Sequence, residues 1–171
     1  TLEIKLPSVE HEWQDDPKKV GHVWIDTFTI KPGSGADIPM DNSGFESGTD
    51  KPDYWEYVTY KGNPQFAWES RPNYVDSGSR SVYIQNPTAD DEGGIRYTEK
   101  ILFTPGVKYT IGIRNKIDEK LNQGIVPIVK FYDSNDKYLS QFTANWNSKS
   151  SMGNQIAAAQ ADSIVYAIER D

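Results

Sequence analysis

Cysteine is absent from the 171-residue chain, which excludes a disulfide scaffold, thiolate zinc sites and thiol nucleophiles. No apolar run approaches the length of a membrane-spanning helix, and the mean hydropathy is −0.69. An excess of basic charge is also missing, because 18 Lys and Arg stand against 25 Asp and Glu, for a net charge of −7. The sequence therefore argues against nucleic acid and anionic membranes as partners.

Leucine is scarce as well, with 5 residues against 25 isoleucines and valines. Beta-branched side chains pack well on pleated surfaces, so this composition favours sheet over helix. The length suits one domain covering residues 1–171. The 21 aromatic residues, 5 of them Trp, are many for so polar a chain and are the first indication of a binding function.

Alternating apolar and polar residues recur in short segments separated by turn signals. Examples are Val23–Ile30, Ser81–Gln85 and Val107–Ile113, the last preceded by the turn Thr104-Pro105-Gly106. Helical periodicity is nearly absent, and Gln155–Ala161 is the one candidate helix. The pattern predicts an all-β fold, an antiparallel two-sheet β-sandwich of the jelly-roll type.

Three motifs occur in an order and spacing typical of one protein family. The segment Asn42-Ser43-Gly44-Phe45-Glu46-Ser47-Gly48 precedes Trp55, and the stretches Ser77–Ile84 and Pro105–Ile111 follow. Together they resemble carbohydrate-binding modules of families four, nine, sixteen and twenty-two. The resemblance implies a jelly roll with a structural calcium ion that binds glycans without cleaving them.

The ends of the chain depart from that family pattern. Gly21–Ile30 resembles the closing strand of the family, yet here it comes before the opening motif and not after Ile168. One interpretation is a circular permutation, in which strands within residues 1–38 complete a sandwich whose main body is residues 39–171. The other is a piece cut from a tandem array.

We expect closure within one chain, because a sandwich without its last strand leaves an exposed edge. This interpretation predicts that Val23–Ile30 pairs in the same sheet as the strands around Tyr109 and Tyr166. The similarity of Leu2–Leu6 to Ile164–Ile168 keeps strand exchange between copies as an alternative.

Asp26 and Glu46 match the calcium carboxylates of the family, so the resemblance predicts Ca²⁺ there as a structural ion. The alternative is that both are ordinary acids on the surface of an acidic chain. Asp133-Ser134-Asn135-Asp136 looks like a second calcium loop but lacks the glycine and the distal Glu of an EF-hand. We interpret this segment as a hairpin turn.

A sugar ring stacks its C–H groups on an aromatic face, while its hydroxyls bond to planar polar groups. Trp146 is flanked by Asn145 and Asn147, which favours an exposed indole. Trp55 is predicted either as a second platform or as a core residue. The candidate ligand-binding residues are Trp55, Tyr83, Gln85, Arg114, Lys130 and Trp146. The alternative for the sheet residues among them is a plain solvated face.

Catalytic signatures are missing: no Gly-x-Ser-x-Gly elbow and no His-Glu-x-x-His motif occurs. The sequence predicts no enzyme but an accessory module of a larger secreted, bacterial polysaccharide-degrading enzyme. Its partners are then a polysaccharide or oligosaccharide and the neighbouring domains. One alternative is a structural spacer of the same fold without a sugar site, and another is a small lyase or hydrolase. A cytosolic location is the alternative to secretion.

Overall fold

The computed structural model describes residues 2–6, 21–33, 35–88, 90–104, 106–117, 125–143 and 164–169. Ten strands are present in these residues. They are β1 (Leu2–Leu6), β2 (Gly21–Pro32), β3 (Trp55–Lys61), β4 (Gln65–Glu69), β5 (Ser81–Asn86), β6 (Glu92–Tyr97), β7 (Lys108–Ile117), β8 (Val126–Tyr132), β9 (Tyr138–Thr143) and β10 (Ile164–Glu169).

The strands form two five-stranded sheets in which every neighbouring pair is antiparallel. The first sheet has the order β3-β6-β1-β8-β9 and the second the order β10-β7-β2-β5-β4. The prediction of an all-β antiparallel fold is confirmed. The only helix in the described segments is the single 3₁₀ turn Pro72–Tyr74, so these segments contain no helix long and apolar enough to cross a membrane. The predicted helix at Gln155–Ala161 lies outside the described residues.

The first two strands of the chain occupy inner positions, one in each sheet. β1 lies between β6 and β8, and β2 lies between β7 and β5. β7 in turn pairs with β10, through Ile168 opposite Tyr109. The prediction that Val23–Ile30 pairs in the same sheet as the strands around Tyr109 and Tyr166 is therefore confirmed.

Buried side chains from both sheets form one hydrophobic cluster. Ile25 and Ile84 come from the second sheet, and Ile95 and Val129 come from the first. Trp55, at the start of β3, is among the largest fully buried residues. Isoleucine and valine, together with aromatic residues, thus fill the space between the sheets.

A β-bulge interrupts β2 at Thr27. Asp26 pairs with Arg114 and Phe28 with Ile113, so Thr27 is the extra residue. Because a bulge shifts the alternation by one position, Phe28 points into the core, where its ring lies 4.9 Å from that of Trp55. Asp26 keeps the outward orientation of Trp24, two residues earlier.

Candidate functional site

The outer face of the second sheet brings aromatic and amide side chains into lateral rows. His22 and Gln65 are both paired with Gln85, and Trp24 is paired with Tyr83 on one side and Lys116 on the other. Their side chains alternate with buried residues such as Val23, Ile25, Val82 and Ile84, so they project away from the core. We call this surface the aromatic face. It consists of His22, Trp24, Tyr74, Tyr83, Gln85 and Lys116.

Trp24 is the centre of the aromatic face. Tyr74, from the 3₁₀ turn, stacks on its ring at 4.3 Å with an interplanar angle of 22°. Tyr83 lies tilted at 5.2 Å on the neighbouring strand, and His22 is parallel to the indole at 6.2 Å. Since only 7% of Trp24 is exposed, it acts as a floor beneath half-exposed rings.

A chain of hydrogen bonds fixes the polar side of the aromatic face. The hydroxyl of Tyr83 donates to Oε1 of Gln85 at 2.9 Å. The hydroxyl oxygen of Tyr83 also lies 2.6 Å from Nδ1 of His22, so it accepts the proton carried by that nitrogen. In this arrangement the amide of Gln85 uses its carbonyl within the protein and directs its N–H groups elsewhere, which suits an acceptor on a ligand.

Two cations lie against the ring of Tyr74. Nζ of Lys116 is 4.2 Å from the ring centroid, and the guanidinium of Arg71 is 4.5 Å from it. Both distances are in the range of cation–π attraction. Arg71 also makes a two-pronged ion pair with Glu69, which holds the pKa of that carboxyl at about 2, below its ordinary value.

The indole N–H of Trp24 is buried and has no hydrogen-bond acceptor within the described residues. A buried donor without a partner costs roughly 1–3 kcal/mol. The side chain of Lys116 lies over this ring, with Nζ 5.2 Å from its centroid.

Asp26 holds the loop that follows Tyr74. Its carboxylate is fully buried, and Oδ2 accepts the N–H groups of Asp76 at 2.8 Å and Ser77 at 3.0 Å, while Oδ1 accepts that of Thr27 at 2.6 Å. Burial raises the pKa of Asp26, and the same hydrogen bonds partly oppose that rise. The carboxylate therefore anchors the segment just after Tyr74 to β2.

Glu46 holds the other end of the same loop. Its carboxylate accepts the N–H of Ser79 at 2.9 Å and that of Arg80 at 3.1 Å, together with the hydroxyl of Ser79. Gly78 has a φ of 68°, and a Cβ there would meet the Glu46 carboxylate at 2.4 Å. The loop can wrap around the Glu46 carboxylate only because residue 78 is glycine.

These contacts bear on the predicted calcium ligands, Asp26 and Glu46. All four carboxylate oxygens accept N–H donors, whereas Ca²⁺ needs about six to eight oxygen ligands. Within the described part of the chain, no group of three or more acidic, His or Cys side chains is placed to hold a metal ion. The residues in this arrangement do not fit a calcium shell, and calcium binding stays a prediction.

The structure brings together two of the predicted ligand-binding residues, Tyr83 and Gln85. Arg114 also projects from the second sheet, but its guanidinium makes a two-pronged ion pair with Asp76. That pairing ties Arg114 to the loop held by Asp26, which makes it a positioning residue in this arrangement.

The other predicted residues lie elsewhere. Trp55 is 1% exposed, and its indole N–H donates to the carbonyl of Asn42 at 3.0 Å. The prediction of Trp55 as a stacking platform is therefore wrong, and the core alternative is correct. Lys130 is on β8 of the first sheet, away from Tyr83 and Gln85. Trp146 lies outside the described residues.

The segment from Asp133 to Asp136 is a hairpin turn between β8 and β9, as predicted. Oδ1 of Asp133 accepts the N–H groups of Asn135 at 2.8 Å and Lys137 at 2.9 Å, which is the usual way that Asp closes a turn. This use of the carboxylate explains the acidic run without a metal.

Sequence reasoning missed His22, Trp24, Tyr74 and Lys116 as members of the face. One signal was present for Trp24, because it alternates with Val23 and Ile25 along β2. Tyr74 had no such signal, since a 3₁₀ turn folds it over the sheet from outside any strand.

Comparison with known proteins found no matching family model, curated protein or solved structure. The resemblance to carbohydrate-binding modules therefore depends on the sequence motifs alone.

Proposed function

We propose that this protein is a non-catalytic carbohydrate-binding module and that the aromatic face binds the glycan. The observation that carries the proposal is the juxtaposition of the half-exposed Tyr83 ring with the amide of Gln85 and the imidazole of His22. Sugar C–H groups pack on aromatic rings, and sugar hydroxyls bond to planar polar groups, so this face offers both kinds of contact side by side.

The state of the nearby carboxylates supports binding without cleavage. A glycosidase needs two carboxyl groups placed on either side of the scissile bond. On this side of the molecule the Asp26 carboxylate is buried beneath backbone N–H groups, and that of Glu69 is held by Arg71. The Asp26 carboxylate holds the loop after Tyr74, and the Glu69 carboxylate holds the end of β4. Neither carboxylate faces an open cleft.

The pairing of the two guanidinium groups beside the aromatic face supports a neutral glycan. Arg114 is neutralised by Asp76, and Arg71 by Glu69. A uronate would have to break one of these two-pronged pairs to gain a guanidinium, whereas hydroxyls need only the amide and the ring nitrogen. The module would serve a secreted polysaccharide-degrading enzyme by holding its catalytic domain near the substrate, which raises the effective concentration.

Affinity gel electrophoresis against soluble neutral and acidic polysaccharides tests this function. We expect at least one neutral polysaccharide to retard the wild type. The binding free energy derived from the retardation of Gln85→Ala should be weaker by about 1 kcal/mol, the scale of one hydrogen bond. Tyr54→Asn is the control, because Tyr54 is exposed away from the aromatic face and Asn tolerates its φ of 65°. Migration of the wild type unchanged in every gel would support the spacer alternative and contradict the proposal.

A further inference from the structure

An open cavity of about 610 Å³ lies against the first sheet, between residues 98–103 and the end of β8 with the turn that follows it. Its size is in the range of small-molecule sites, roughly 300–1,000 Å³. The aromatic face belongs to the second sheet, so the cavity is a separate feature of the molecule. Lys130, one of the residues predicted to bind a ligand, lines this cavity.

One side of the cavity is apolar and aromatic. Tyr132 is 38% exposed and makes an edge-on contact with Tyr138, with ring centroids 5.9 Å apart. Leu102 is 89% exposed at the mouth. Behind them Phe103 packs edge-on against Phe131 at 5.6 Å, which ties this wall to the hydrophobic core. The wall therefore offers an accessible ring on a rigid support.

The other side is polar. Nζ of Lys100 makes an ion pair with Asp136, which joins the 98–103 segment to the hairpin turn across the cavity. Both side chains are largely exposed, and an exposed ion pair contributes little to stability. Ligand hydroxyls can therefore bond to Lys100 and Asp136 in place of this ion pair at a small cost in free energy. The hydroxyls of Thr98 and Ser134 add further polar groups to the lining.

The charges of the lining are balanced, with two lysines, Lys100 and Lys130, against two aspartates, Asp133 and Asp136. A charged ligand would therefore gain little electrostatic attraction from this lining. An accessible ring beside hydroxyl, ammonium and carboxylate groups matches a ligand with one apolar face and several hydroxyls. We propose that this cavity is a second carbohydrate site, one that takes a short neutral saccharide stacked on Tyr132.

NMR titration of the full chain with neutral disaccharides (cellobiose, maltose, lactose and xylobiose) tests the proposal. We expect saturable shifts of the amide signals around Leu102 and Tyr132 with at least one sugar. Tyr132→Ala should weaken that binding about tenfold or more, as for loss of an interface anchor, while Tyr132→Phe retains the ring and the affinity. Added salt should change the affinity little, because the ligand is neutral.

The two proposals fail separately in this experiment. Shifts confined to residues around Tyr83 and Gln85 would support the aromatic face and overturn the cavity. Saturable shifts at the cavity alone would support the second site and leave the aromatic face without support. The proposal is also overturned if a folded Tyr132→Ala variant binds at the cavity like the wild type, or if no sugar produces saturable shifts there at millimolar concentration.

Discussion

The Glu69–Arg71 pair shows how a single ion pair at the end of a strand fixes a functional side chain. Glu69 is a buried carboxylate that accepts the guanidinium of Arg71 and the backbone N–H groups of Ser70 and Arg71. The same guanidinium lies over the ring of Tyr74. The ion pair thus connects the end of β4 to the ring that covers Trp24.

The low pKa of Glu69 predicts a pH-dependent part of the stability. In the folded state this pKa is about 2, against an ordinary value of 4.5, so the native state favours the ionised form. Its contribution is complete above pH 4.5 and is lost as the pH falls toward 2. Urea unfolding of the wild type and Glu69→Gln should differ most near pH 6 and converge toward pH 2. Curves that stay parallel over this range would contradict the assignment.

The two tryptophans of the β2 and β3 strands show where residue type alone misleads. Trp55 follows a polar loop, yet its N–H reaches the carbonyl of Asn42, so the ring can be fully buried without an unpaired donor. Trp24 projects from the outer side of its sheet and is nonetheless covered, because Tyr74 folds over it. Burial of both depends on residues distant in sequence, which no local pattern reveals.

At the scale of the element, the loop formed by residues 75–80 is the link between the fold and the aromatic face. Asp26 and Glu46 hold its backbone, and Arg114 holds the carboxylate of Asp76. Tyr74 immediately precedes this loop, so its position over Trp24 depends on the same contacts.

Asp26→Ala tests this link. Removal of the carboxylate leaves the N–H groups of Asp76, Ser77 and Thr27 without their acceptor, and we expect a loss of about 2 kcal/mol or more in the free energy of unfolding. Amide hydrogen exchange of residues 75–80 should accelerate, and sugar affinity should fall because Tyr74 moves. Asp37→Ala, at an exposed acid, is the matched control. Unchanged exchange in the Asp26 variant would show that the loop is held by other contacts.

Strands such as β2, β5 and β7 were predictable, because apolar and β-branched residues alternate along them, whereas β4 and β9 carry almost no β-branched residues. The bulge at Thr27 was not, since an extra residue in one strand is defined only by its partner strand, β7. Alternation correctly placed Tyr83 and Gln85 on an outer face, but it did not show that Lys130 belongs to the other sheet. A periodicity of two identifies the face of a residue within its sheet and says nothing about which sheet that is.

At the scale of the whole molecule, the predicted calcium ion and the hydrogen bonds of Asp26 and Glu46 lead to opposite expectations for chelation. A structural ion at a hundredfold excess over its Kd would contribute about 2.7 kcal/mol. Because backbone N–H groups already bond to these carboxylate oxygens, we expect that EDTA leaves the melting temperature unchanged. A clear fall in the melting temperature that added Ca²⁺ reverses would instead support the calcium prediction.

The order of strands in the two sheets was predictable only where a motif placed it. That β2 shares a sheet with β7 and β10 followed from the likeness of Gly21–Ile30 to a closing strand. The inner position of β1, between β6 and β8, depends on pairings with residues about 90 and 125 positions later in the chain. Such long-range pairings leave no local mark in the sequence.

Titration calorimetry of Tyr83→Ala tests glycan binding by the aromatic face most directly. The ligand is an oligosaccharide from the polysaccharide that retards the wild type, and Tyr54→Asn is again the control. Tyr83 supplies both the half-buried ring and the hydroxyl that orients Gln85, so its truncation should cost about 2 kcal/mol, roughly thirtyfold in Kd. We expect this loss in Tyr83→Ala and wild-type affinity in Tyr54→Asn. A folded Tyr83→Ala variant that binds as tightly as the wild type would contradict the assignment of the glycan site to this face.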